Sequence, residues 1–192
     1  GGLVGLGAAI KLWPALLIAP PLALRGQAWA PRRRAATGFA AVGLGLALLS
    51  LAAGGWARLV SPLTWQTGRG LQIESVWATP LMWRRANTDD ALWKVALSRY
   101  NAFEITGPGV AAWQHVSTVA TVVGLGVIVL LVARLAWTRT ASLPATALVS
   151  LAIVLVMIVT NKTLSPQYII WVGGPLSAYL VLLDTLPRRT AA

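Results

Sequence analysis

Cysteine is absent from this chain, so no disulfide framework, thiolate nucleophile or cysteine-ligated metal site can be built from it. Charge is also scarce. Only 11% of residues are charged, against about 25% in an ordinary soluble domain. Acidic side chains number five (Glu74, Asp89, Asp90, Glu104 and Asp184), and His115 is the only histidine. The sequence contains no P-loop, no dinucleotide Gly-x-Gly-x-x-Gly between a strand and a helix, no His-Glu-x-x-His and no Gly-x-Ser-x-Gly. The phosphate-cradle, dinucleotide, zinc-protease and serine-hydrolase signatures are thereby left out. No cofactor and no metal site is expected.

What is present is apolar. Of 192 residues 57% are hydrophobic, and the mean hydropathy is +0.70. The surplus apolar surface must face something other than water, which makes the chain an integral membrane protein. Lys and Arg total 16 and give a formal charge of +11. The basic residues fall in short clusters between long apolar runs, as topology determinants do, so membrane lipid and not nucleic acid is the expected partner. Arginine far outnumbers lysine, which hints at a GC-rich bacterial source.

The expected fold is all-α, with about five transmembrane helices over residues 2–24, 35–56, 116–135, 143–160 and 169–186. Each run approaches the ~20 residues needed to cross a hydrocarbon core of ~30 Å. The chain opens at Gly1 inside the first run, with no basic leader or cleavage site. It therefore reads as the C-terminal portion of a longer protein. Lys11, Pro14, Pro20 and Pro21 interrupt the first run, and the prolines imply kinks. Arg25, Arg32, Arg33 and Arg34, then Arg134 and Arg139, then Arg188 and Arg189 follow alternate spans. The positive-inside rule puts those junctions in the cytoplasm. Gly1, Gly2, Gly5 and Gly7, like the glycines of the second run, suit close helix packing.

Residues 57–115 form the one long hydrophilic stretch, expected as an extracytoplasmic loop with short amphipathic helices. Asn87-Thr88-Asp89-Asp90 reads as a helix N-terminus. Trp93, Leu97 and Tyr100 recur at i, i+4 and i+7 behind it, with Asp90 able to pair with Lys94. Tryptophans 56, 65, 77, 83, 93, 113 and 171 mostly flank outer segments and read as an aromatic belt, some able to stack on a sugar ring. Arg84 and Arg85 read as headgroup contacts. Asn161-Lys162-Thr163 matches a glycosylation acceptor, which carries little weight in a bacterium.

Several polar residues need partners. Lys11 lies near the outer edge of the first span, where it either binds a phosphate or snorkels to the headgroups. Arg69, Gln72 and Glu74 crowd into Arg69–Val76. On a helix Arg69 and Gln72 would share a face, with Glu74 ~140° from Arg69, so the two charges would not neutralise each other. Lys162, Ser165, Gln167 and Tyr168 occupy a second outer turn, where Pro166 restricts Ser165 and starts the next helix. His115 reads as an interfacial residue and a weak catalytic candidate.

Three stretches in series, Lys11-Leu12-Trp13-Pro14, Arg69-Gly70-Leu71-Gln72-Ile73-Glu74-Ser75 and Leu164-Ser165-Pro166-Gln167-Tyr168, resemble the C-terminal half of glycosyltransferase family 87. These are polyprenol-phosphate-mannose-dependent mannosyltransferases of actinobacteria with the GT-C membrane fold. The resemblance implies transfer of mannose from a polyprenyl-phosphate donor to a glycolipid or lipoglycan acceptor, outside the cytoplasmic membrane. Lys11, Arg69 and Lys162 would bind the donor phosphate, and Gln72, Glu74, Ser165, Gln167 and Tyr168 would contact substrate. The catalytic base is expected in an upstream outer loop, which makes Glu74 a positioning residue before a base. The alternatives are a GT-C enzyme using another lipid-linked sugar, a transporter or flippase with Lys11 at a broken helix, and a non-catalytic scaffold.

Overall fold

In a computed structural model the chain is described over residues 1–24, 29–88, 90–138 and 142–184. It is mostly helical, with four helices long and apolar enough to cross a membrane: Trp29–Trp65, Val110–Trp137, Leu143–Thr160 and Pro166–Asp184. The last three match expected spans. Their outward faces carry exposed Leu130, Leu155 and Val181, a surface suited to lipid. Arg25, Asp89, Arg139, Arg188 and Arg189 lie outside the described residues.

The first apolar run is not one span, so the described spans number four and not five. Helix α1 (Gly2–Ile10) ends where Lys11 turns extended; a 3-10 segment (Trp13–Ile18) and α2 (Ala19–Ala23) follow. Pro14 explains the stop, because it has no N–H for the Ile10 carbonyl and its ring would clash there. Nine residues rise only ~14 Å, about half a hydrocarbon core. Helix α3 (Trp29–Thr67) runs parallel to α1: Gly1 abuts Ala35, Gly2 abuts Val42, and Gly5 abuts Phe39 and Gly43. The Leu22 carbonyl, at the end of the return leg, accepts from Arg32 at the start of α3. Residues 1–24 therefore form a helical hairpin with Lys11 at its apex.

Helix α3 continues beyond the expected end of its span, through a break at Gly54 and Gly55. Gly55 has φ 63° and ψ −165°, a conformation open essentially to glycine alone. The break redirects the chain. Unbent, α3 would carry Pro62 ~28 Å past Gly43, yet Pro62 lines the same cleft as Ile10 of the hairpin.

The expected loop of amphipathic helices is instead a small folded cap. It holds a three-stranded antiparallel sheet in the order β1-β3-β2, with β1 Leu71–Gln72, β2 Lys94–Leu97 and β3 Phe103–Thr106. Helix α4 (Thr79–Asn87) packs on it. Leu71, Ala78, Leu81, Trp93, Ile105 and Val110 form its core. The amphipathic helix expected at 90–100 is thus a 3-10 turn followed by β2, because pairing with β3 overrides the i, i+4, i+7 pattern. Asn87-Thr88 is likewise a helix end, not a start: Asn87 Nδ2 donates to Trp83 O (2.7 Å) and Thr88 Oγ1 to Arg84 O (2.7 Å). The Asp90–Lys94 pairing falls on a side chain outside those described. Arg85, expected at the headgroups, donates from Nε to Trp93 O at 3.2 Å and ties α4 to the sheet. Trp77, Trp93 and Trp113 belong to or pack on the cap core and so are not belt residues, whereas Trp56 and Trp83 are exposed.

Helices α5 (Val110–Trp137) and α6 (Leu143–Thr160) join the cap to the bundle. The Thr160 carbonyl, orphaned at the end of α6, accepts from Ser117 Oγ (2.8 Å), Thr121 Oγ1 (3.2 Å) and Trp77 Nε1 (3.1 Å). Other span hydroxyls return to carbonyls four residues back, as Thr146 does to Ser142 and Ser150 to Thr146. That pattern hides polar groups from hydrocarbon. Gly124 lets the two helices meet, since a Cβ there would sit 2.7 Å from Val156 Cγ1. Gly124→Ala is expected to cost about 1–3 kcal/mol through overpacking, read by unfolding in mixed micelles. Gly126→Ala, which meets nothing within 4 Å, serves as control; equal midpoints for the two variants would refute tight α5–α6 contact.

Candidate functional site

A cleft of about 480 Å³ lies where the hairpin apex, the bent end of α3, α5 and the α6–α7 turn converge, α7 being Ile170–Asp184. Lys11, Arg69 and Lys162, far apart in sequence, all line it, together with Tyr168. Each is placed by a separate element.

Lys11 is held by aromatic rings. Its Nζ donates to the Tyr168 hydroxyl and lies 3.8 Å from the Tyr168 ring centroid and 4.7 Å from that of Trp171. Tyr168 and Trp171 stack at 4.0 Å and 14°, and Trp13 leans on Trp171 at 4.8 Å. Stacking of a cation on such faces stabilises by ~0.5–2 kcal/mol as water is excluded. The Lys11 side chain lines the cleft. Tyr168 comes into position because Pro166 starts a 3-10 turn (Pro166–Ile169) behind extended Ser165.

Lys162 is fixed from both its ends. Its Nζ donates to Arg69 O at 2.7 Å, and its own carbonyl accepts from the Gln72 amide at 3.1 Å. Asn161 shapes the turn, its Oδ1 accepting from Thr163 N (2.9 Å) and Oγ1 (2.7 Å). Burial pushes the Lys162 ammonium below its ordinary range; the Glu104 carboxylate opposes that shift and the Arg69 guanidinium adds to it.

Arg69 stands between two glycines. A Cβ at Gly68 would lie 2.4 Å from the Tyr100 hydroxyl, and one at Gly70 2.5 Å from Glu104 Oε2. The two glycines leave room for the Tyr100 and Glu104 side-chain ends against this backbone. The guanidinium carbon sits 5.5 Å from the Tyr100 ring centroid, and Nε is buried without a hydrogen-bond partner. Gln72 Oε1, Glu104 Oε1 and Trp13 Nε1 are also buried and unpartnered. Leaving such a group unmet costs ~1–3 kcal/mol. Trp13 and Arg69 belong to the cleft lining, whereas Gln72 and Glu104 do not.

The other expected site residues are placed elsewhere. Glu74, Gln167 and His115 are exposed and do not line the cleft. Gln72 is buried behind it in β1, and Ser165 is half-buried at the adjacent turn. Sequence reasoning missed the roles of Trp13, Trp171, Asn161 and the α5 hydroxyls Ser117 and Thr121, all in the lining. It also missed Glu104 and Tyr100, which stand behind Arg69. Trp171 carried one usable signal, its i+3 spacing from Tyr168. Compared with protein-family models, curated proteins and solved structures, the chain matches none.

Proposed function

We propose that this chain is part of a membrane glycosyltransferase that takes a sugar from a lipid-linked phosphosugar. By the resemblance of its three motifs, that sugar is a mannosyl unit on polyprenyl phosphate. The acceptor is a glycolipid or lipoglycan, and the site lies on the outer face of a bacterial cytoplasmic membrane. The observation that carries this proposal is the meeting of Lys11, Arg69 and Lys162 in one cleft beside Trp13, Tyr168 and Trp171.

The chemistry follows from the lining. A polyprenyl phosphate leaves as an anion, and three cations in a half-dehydrated site stabilise the charge that develops on its oxygens. Leu63, Val122 and Met157 give an apolar wall suited to a prenyl chain. Trp13 and Trp171 give the lining aromatic surface suited to a sugar ring. Glu74 and His115 stand outside the cleft, so neither is assigned the proton transfer. A transporter or flippase is favoured only by the hairpin with Lys11 at its apex. The described cations of the cleft gather at the cap end, which suits an interfacial enzyme better than a path through the bundle.

The test is a donor panel with the protein in nanodiscs, read by quenching of tryptophan fluorescence. Short-chain prenyl-phosphate-mannose should quench, a nucleotide-mannose should not, and Lys11→Ala should weaken the response at least tenfold. Equal quenching by the nucleotide sugar would overturn a lipid-phosphate site, and preference for the glucose or arabinose analogue would replace mannose as the sugar.

A further inference from the structure

We propose that Glu104 is the positioning carboxylate of the cleft, balancing the cations Lys162 and Arg69 from behind the Arg69-Gly70 backbone. This role rests on the preceding assignment of those cations to a phosphate. Four observations carry it. The carboxylate abuts Gly70 so closely that a Cβ there would lie 2.5 Å from Oε2. Its other oxygen, Oε1, is buried with no hydrogen-bond partner. In the sheet Glu104 stands directly opposite Gln72, whose amide donates to the Lys162 carbonyl. Finally, its charge favours the Lys162 ammonium against burial and against Arg69.

The arrangement has a chemical use. Lys162 Nζ gives a hydrogen bond to Arg69 O, so Glu104 acts on it through its field and leaves its remaining N–H donors to an incoming anion. A carboxylate in direct salt bridges would compete with phosphate for those donors. One set behind the backbone balances the charge without competing. The charged and aromatic polar groups that line the cleft with Lys162 are Arg69, Lys11 on the hairpin apex and Tyr168 on the 3-10 turn. From α5 come the uncharged Ser117, Thr118 and Thr121, and from α3 Pro62, Leu63 and Trp65. No carboxylate is among those lining residues, and Glu104 reaches Lys162 through Gln72, which it faces in the sheet.

The chain has only three lysines, Lys11, Lys94 and Lys162, so its ammonium groups can be titrated individually. The full chain in micelles would be ¹³C-dimethylated and followed by NMR against pH, with assignments from single Lys→Arg variants. Alongside, binding of a short-chain prenyl phosphate would be measured over the same range. In Glu104→Gln the Lys162 transition should move to lower pH with Lys94 unmoved, and the pH at which prenyl phosphate binding is half lost should fall with it. Glu104→Asp should lie between. Should the Gln variant fail to fold, Glu104→Asp and Gly70→Ala, which displaces the carboxylate, must show the same downward direction. A Lys162 transition that stays put in the folded variants overturns the positioning role. A wild-type protein whose Lys162 responds to Glu104 but which binds no prenyl phosphate overturns the phosphate assignment instead.

Discussion

Arg69→Ala should lower sugar transfer from a prenyl-phosphate donor by about 10²-fold or more, the scale seen when one preorganised donor is removed from a developing oxyanion. The physical ground is the state of the side chain. Its Nε is buried and unpartnered, its guanidinium rests near the Tyr100 ring, and the glycines on either side let Tyr100 and Glu104 close around it. A residue held in this way is organised before the ligand arrives. Arg69→Lys keeps the charge but loses the planar fork, so it should recover only part of the rate. The loss should fall on kcat more than on KM if the contact strengthens as the phosphate departs. Membrane insertion and tryptic resistance of the spans should remain as in wild type, because the side chain lies outside them. Transfer by a well-inserted Arg69→Ala protein at the wild-type rate would remove Arg69 from the phosphate site.

Trp93→Ala should unfold the cap while sparing the bundle. Trp93 is 7% exposed within the cap core, and its Nε1 donates to Pro108 O at 3.0 Å. Truncating a buried tryptophan costs about 3–5 kcal/mol, a large share of what a small extramembrane unit can have in reserve. Amide exchange should therefore quicken across residues 71–106, with α5 and α6 still protected. Binding at the cleft should fail too, because the cap carries the Arg69–Gln72 backbone to which Lys162 is bonded at both ends. Trp93→Phe keeps most of the buried area and should restore protection. Unchanged exchange in Trp93→Ala would mean that the sheet is held by something other than this core.

The spans were legible because hydropathy is a local property. The apolar run at 143–160 coincides with α6, and the expected spans at 116–135 and 169–186 fall on the long helices Val110–Trp137 and Pro166–Asp184 with shifted ends. The first run was read as a single span because its composition is apolar throughout. The local rule that Pro14 cannot receive a helix from Ile10 was written in the sequence, but its consequence, a reversal and not a kink, depends on packing against α3. The cap was not legible. Its strands are two to four residues long, and β1 pairs with β3 across some thirty intervening positions. A Trp93, Leu97, Tyr100 spacing fits a helix as well as anything until β3 is alongside.

The sequence by itself determined that the protein belongs in a membrane, where its main apolar helices run, and which few polar residues had no business in hydrocarbon. Lys11, Arg69 and Lys162 could be singled out because an unpaired cation among apolar residues demands a partner. Only the tertiary structure decided that they share one cleft, that Tyr168 and Trp171 hold the first of them, and that Glu104, not Glu74, lies against the Arg69-Gly70 backbone. The reason is that charge and hydropathy are carried residue by residue, whereas proximity is fixed by a proline stop, a glycine break and a three-stranded sheet acting together over the length of the chain.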